Sequence, residues 1–144
     1  MRTIKFRGQS KFTTHKWLYG SYLVLGDKHY ILPIDDKMLC NHEVIPETVG
    51  QYTGYNDKNG VEIYEGDICE VEYYTNVTTT ENHYLNQTVE INGCDYVLKS
   101  EDKPTSECST LEIYCHINSL NIIHRNDFNR IKVIGNIFNN PELL

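Results

Sequence analysis

Apolar and polar residues alternate along much of this chain, and a period of two marks a strand with one covered face. Cys69, Val71 and Tyr73 alternate with Glu70 and Glu72, and Leu111, Ile113, Cys115 and Ile117 with Glu112, Tyr114 and His116. Ile131 and Val133 alternate with Arg130 and Lys132 until Gly135 breaks the pattern. That break predicts a bulge or a close backbone approach. Tyr22–Leu25 and Tyr30–Ile34 flank Gly26-Asp27-Lys28-His29 and predict a hairpin. Val89–Ile91 and Tyr96–Leu98 flank Asn92-Gly93 and predict another. No window carries apolar residues at helical spacing for three turns. Short helical turns are expected only near Pro46-Glu47-Thr48 and Leu120–Asn126.

Residues 47–67 read E-T-V-G-Q-Y-T-G-Y-N-D-K-N-G-V-E-I-Y-E-G-D. Asn59-Gly60 tolerates positive φ at both positions and predicts a tight hairpin. The Asp57 carboxylate is placed to bond the turn backbone. Val61 and Ile63 are expected on one strand face, Glu62 and Tyr64 on the other. Glu65-Gly66-Asp67 predicts a second corner, with Asp67 satisfying amides ahead of a strand Ile68–Tyr73. Two corners this close bend a sheet strongly. The expected fold is mainly β: a small antiparallel barrel or strongly bent sheet, SH3-like in character. One domain is expected over 1–144, with an additional hairpin inserted at about 75–110.

Composition sharpens this picture. Alanine, the best helix former, is absent. A chain of 144 residues, 40% apolar, can build a core without disulfides or metals. The net charge of −7 repels phosphate backbones and disfavours broad nucleic-acid binding. Lys5 and Arg7 form the densest basic patch, and it is thin. The longest apolar runs, such as Tyr22–Leu25, are too short to span a bilayer. The start M-R-T-I-K-F-R-G lacks an apolar signal region. No membrane association and a cytoplasmic location are therefore expected, with the five irregularly spaced cysteines reduced.

Several blocks occur in a recognisable order. They are Ile4-Lys5-Phe6-Arg7, Trp17 with Tyr19-Gly20, Pro46-Glu47-Thr48-Val49-Gly50-Gln51-Tyr52-Thr53-Gly54, and Asp57-Lys58-Asn59-Gly60. Ile63-Tyr64-Glu65-Gly66-Asp67-Ile68, Val133-Ile134-Gly135-Asn136-Ile137 and Asn140-Pro141-Glu142-Leu143-Leu144 follow. In these blocks the chain resembles the YopX family of phage and prophage proteins. Residues 75–110 have no counterpart in that pattern. The resemblance implies a mainly β fold, a mobile-element origin and a bacterial cytoplasmic location. It implies no established activity and no catalytic residues.

Candidate chemistry is sparse. Zinc needs four converging ligands, usually with one close pair. Cys94, Cys108, Cys115, His83, His116 and His124 provide no such pair, and Cys115 and His116 would point to opposite faces of a strand. No metal and no cofactor are expected. Glu65, Asp67, Glu70 and Glu72 could divide acid and base roles, but a solvated strand face and a turn cap account for them. No cysteine–histidine pair is singled out for nucleophilic work. The glycines lack the lysine-serine or lysine-threonine ending of a phosphate loop. No enzymatic activity is expected. Tyr52, Tyr55 and Tyr64 near the two turns, with Trp17, Tyr19 and Tyr22, suit core packing or a binding surface. Turn geometry does not require Gln51, Tyr52, Tyr64 or Glu65, so these four are the candidate interaction surface. The expected role is an accessory protein acting by protein contact or homo-oligomeric self-association. The alternative is a protein that binds single-stranded nucleic acid by aromatic stacking.

Overall fold

The computed structural model describes residues 3–33, 40–73, 83–92, 95–99 and 130–144. The chain divides into two compact units, Met1–Gly54 and Tyr55–Leu144. Each has its own apolar core.

In the first unit the alternation resolves into strands β1 (Phe6–Gln9), β2 (Trp17–Leu25), β3 (Lys28–Leu32) and β4 (Gly50–Asn56), the last running past Gly54. Their order is β3-β2-β1-β4, and the β1–β2, β1–β4 and β2–β3 pairings are antiparallel. Leu25 opposes Lys28, so Gly26-Asp27 alone makes the turn of the expected hairpin. Gly26 takes a φ of 59°, which a residue without Cβ adopts freely. Leu18, Ile31 and Val44 form the core, with Phe6, Tyr22 and Val49 packed against it. The expected helical turn is a 3-10 turn at Pro46–Thr48. The Thr48 hydroxyl donates to Ile45 O at 2.7 Å and accepts the Gln9 amide at 2.9 Å, tying the turn to β1.

The second unit contains β5 (Glu62–Tyr64), β6 (Asp67–Tyr73), β7 (His83–Asn92), β8 (Asp95–Lys99) and β9 (Ile131–Asn136). The sheet order is β8-β7-β6-β9, antiparallel throughout. Ile63, Cys69, Val89 and Ile131 are buried together, with Tyr55, Val71 and Val133 against them. Each fully buried side chain of this kind stabilises the fold by about 1.5–3 kcal/mol. Both glycine corners form, with φ of 82° at Gly60 and 79° at Gly66. Asn59 does not share the left-handed conformation; Gly60 alone supplies it. The predicted irregularity at Gly135 is also present. Ile68 opposes Gly135 and Cys69 opposes Val133, so Ile134 is the extra residue of a bulge. A Cβ at Gly135 would lie 2.7 Å from Asn140 Oδ1, so what packs closely on this glycine is a side chain and not another backbone.

Three expectations change. Ile63 and Tyr64 are both buried while Val61 is exposed, so β5 does not alternate. The hairpin expected near Asn92 exists as β7 and β8, with Asn92 paired to Asp95. β7 lies inside the sheet and supplies Val89 to the core, so it is no appendage. The expected barrel is not formed: among the described residues the strands make two open antiparallel sheets. Closure requires edge strands to pair with each other. Here the outer edge of β3 is taken by His42–Val44, through Ile31 N to His42 O at 3.1 Å and Val44 N to His29 O at 2.9 Å. The edge of β9 is taken by Lys58 N, 3.0 Å from Ile131 O, and by Asp57. The strand expected at Leu111–Ile117 and the turn at Leu120–Asn126 lie outside the described residues. Among the described residues, no helix is long and apolar enough to cross a membrane.

Candidate functional site

The first unit's sheet has two chemically different faces. Residues directly opposite each other on paired strands share a face, and faces alternate along each strand. Phe6, Leu18, Tyr22 and Ile31 lie on the core face. On the other face Arg7 opposes Tyr19, and Gln9 opposes Trp17. The Arg7 guanidinium sits 4.8 Å from the Trp17 ring centroid. The Lys5 ammonium sits 5.8 Å from that of Tyr19. Both are diagonal cross-strand contacts, cation over aromatic ring. Such pairs are worth about 0.5–1 kcal/mol when exposed and more when desolvated, so the Arg7–Trp17 pair is the stronger one: Arg7 is 6% exposed. Tyr19 is 44% exposed and offers its ring to the exterior.

Neighbouring strands extend this face. Arg7 opposes Gly50 and the Tyr52 amide donates to Lys5 O at 2.8 Å, which puts Tyr52 on the same side. On β3, Tyr30 opposes Leu23 and Lys28 opposes Leu25. Glu43, bridged to Tyr30, accepts from Lys11 Nζ at 2.5 Å and lies 3.9 Å from Lys28 Nζ. The hydrogen bond from Lys11 holds the Glu43 carboxyl below its ordinary range. Partial burial opposes this, and the charges of Lys11 and Lys28 reinforce it. A depressed folded-state pKa stabilises the fold above the unfolded value, and that stabilisation is lost as pH falls through the folded one. The melting advantage of the native protein over Glu43→Gln should therefore shrink on acidification through and below the usual carboxylate range. A difference that stays constant down to the lowest pH would contradict the assignment.

The four residues expected to form the interaction surface divide between the units. Gln51 and Tyr52 belong to the first unit, Tyr64 and Glu65 to the second. Gln51 opposes Phe6 on the core face, while Tyr52 lies on the aromatic face, and both are half-buried. Tyr64 is 2% exposed, with its hydroxyl donating to Glu62 Oε2 at 2.7 Å. It is a core residue, because β5 is covered on both faces, and it presents no area to a partner. Glu65 is half-buried at the Gly66 corner. Tyr22 is also core-facing, with its ring 5.4 Å from Phe6 and its hydroxyl on His29 Nδ1. Lys5, Arg7, Trp17 and Tyr19 act as one set that separate readings of a basic patch and an aromatic strand do not assemble. The available signal was the matching period of two in Lys5-Phe6-Arg7 and Trp17-Leu18-Tyr19.

The acidic residues near the corners are committed to backbone. Asp57 Oδ1 accepts the Asn59 and Val61 amides at 2.7 and 2.9 Å, and its Oδ2 accepts the Val133 amide at 3.0 Å. Asp67 Oδ2 accepts the Tyr64 amide at 2.8 Å, and Asp67 is 1% exposed. Among the described residues, no group of three or more histidine, cysteine or acidic side chains could hold a metal ion. Cys94, Cys108, Cys115, His116 and His124 lie outside the described residues.

No curated protein matches the sequence. Among solved structures, protein EF1440 from Enterococcus faecalis is similar, with 21% identity and a TM-score of 0.49 over 100% of this chain and 99% of that one. The family model described as YopX protein matches residues 5–144. That match runs over nearly the whole sequence, and the chain therefore belongs to the YopX protein family.

Proposed function

We propose that this protein is a phage- or prophage-encoded accessory protein of the bacterial cytoplasm. It acts by macromolecular contact and not by catalysis, and the contact surface is the aromatic face of the first unit. The observation that carries this reading is the pairing of Arg7 with Trp17 and Lys5 with Tyr19 on the sheet face opposite the core. Tryptophan, tyrosine and arginine are the side chains that contact surfaces rely on most. The commitment of Asp57 and Asp67 to backbone amides supports a scaffold role for those acids.

Whole-chain charge favours a protein partner, a second copy included. That charge is unevenly distributed. Residues 1–54 carry seven Lys/Arg and five Asp/Glu, a net of +2. Residues 55–144 carry six and fifteen, a net of −9. The repulsion of polyanions belongs to the second unit, and it is a weak ground for excluding them from the first. Light scattering, retention of host proteins and retention of oligonucleotides, each with native protein and Tyr19→Asp, test the contact reading. The native protein should associate with at least one of these, and the variant should lose that association while its melting temperature falls by no more than a few degrees, the loss of the Lys5–Tyr19 contact. A native protein that stays monomeric and retains neither class would end it.

A further inference from the structure

We infer that the aromatic face of β1, β2 and β3 in the first unit is a platform for single-stranded nucleic acid. This rests on the reading of that face as the contact surface, and it names what the surface takes. Binding of a single strand needs aromatic rings on which bases can stack and cations that follow the phosphates. Tyr19 supplies an exposed ring, and Tyr30 lies on the same face one strand over. Lys5 lies over the Tyr19 ring, and Lys28, with its side chain 61% exposed and its ammonium 3.9 Å from the Glu43 carboxylate, sits at the end of β3 on the same side. Arg7 is buried and serves from below, positioning the Trp17 ring.

Charge complementarity favours an anionic occupant, and stacking favours a single strand over an acidic protein surface, the −9 second unit of another copy included. A polyanion gains from the +2 of the first unit, and the rings add a stacking contribution that an acidic peptide cannot use. A duplex hides its bases within its own stack, so a sheet face of tyrosines discriminates against it. The few cations confine the phosphate contact to two or three positions. The logarithm of the binding constant should then fall with the logarithm of salt concentration with a slope of about −1.4 to −2, at roughly 0.7 per phosphate neutralised.

The test is fluorescence anisotropy with a labelled single-stranded oligothymidylate, using the full chain at low salt. The native protein should bind, with the shallow salt slope above. Tyr19→Ala should weaken binding about tenfold, the effect of losing one stacked base, while Tyr19→Phe keeps it. Lys28→Glu should weaken binding and flatten the salt slope. Melting curves of the variants separate loss of binding from loss of fold. Absence of binding at low salt overturns the inference, as does equal affinity for the duplex, or binding that Tyr19→Ala and Lys28→Glu leave unchanged. If the oligonucleotide does not bind but a Tyr19-dependent dimer appears in light scattering, this inference fails and the contact reading stands. If neither appears, and no host protein is retained, both fail.

Discussion

Replacing Asp57 with alanine should destabilise the second unit by about 3–5 kcal/mol. One carboxylate accepts three backbone amides, from Asn59, Val61 and Val133, and the residue is 6% exposed. A buried donor that loses its acceptor costs about 1–3 kcal/mol, and bonds to a charged group lie towards the upper end. Two of the bonds close the β4–β5 turn. The third joins residues 76 apart in sequence and locks that turn onto β9. Its removal loosens a hairpin and a sheet edge together. The melting temperature should fall on the order of 10–20 °C. Asp57→Asn should lie between, since the amide keeps one acceptor oxygen and sets an N–H group where the other oxygen stood. Urea denaturation followed by far-ultraviolet circular dichroism measures both variants. An alanine variant within about 0.5 kcal/mol of the native protein would remove Asp57 from the network.

The second large effect is expected at Gly20, in β2. A Cβ built there would lie 1.8 Å from the Leu32 carbonyl oxygen and 2.5 Å from its carbon. Those atoms are backbone, in the strand that pairs with β2, so no side-chain rotation relieves the clash. β2 and β3 would have to separate next to the Ser21–Leu32 pair, and the Leu18–Ile31–Val44 core would open with them. Gly20→Ala should cost about 3 kcal/mol or more, at the top of the range for overpacking. Trp17 is the sole tryptophan and lies in the same unit, so its fluorescence reports the transition. Gly26→Ala is the contrast. Gly26 has a φ of 59° but nothing within 4 Å of a new Cβ, so only the conformational cost applies, about 1–2 kcal/mol. Equal losses at the two positions would mean that β2 and β3 do not approach as closely as they do here.

These two residues show where sequence reading reaches and where it stops. Asp57 was legible as a turn acid, because its partners Asn59 and Val61 are close neighbours in the chain. Its bond to Val133 was not, since nothing local selects that amide. Gly20 carried only the likeness to a family, and its steric role depends on where Leu32 comes to rest. Cys69 and Val71 were legible as inward positions, because β6 keeps its alternation there. Tyr64 was misplaced because β5 is buried on both faces, and a doubly covered strand has no period to read. The aromatic face was half legible: each strand showed its alternation, but the register that sets Arg7 against Tyr19 is a pairing between strands.

By itself, then, the sequence determined the β character of the chain, the left-handed corners at Gly60 and Gly66, the helical turn after Pro46, the irregularity at Gly135 and membership of a family. Each of these rests on φ restrictions, on hydrogen bonds between near neighbours or on period-two burial, which act within a few residues. Only the tertiary structure decided that the described strands form open sheets, that β7 enters a core, that Asp57 clamps β9 and that cations meet aromatic rings across β1 and β2. Those outcomes depend on which strand edges meet after loops of unequal length have closed. That choice is set by burial and backbone pairing summed over distant segments, and no short stretch of sequence contains it.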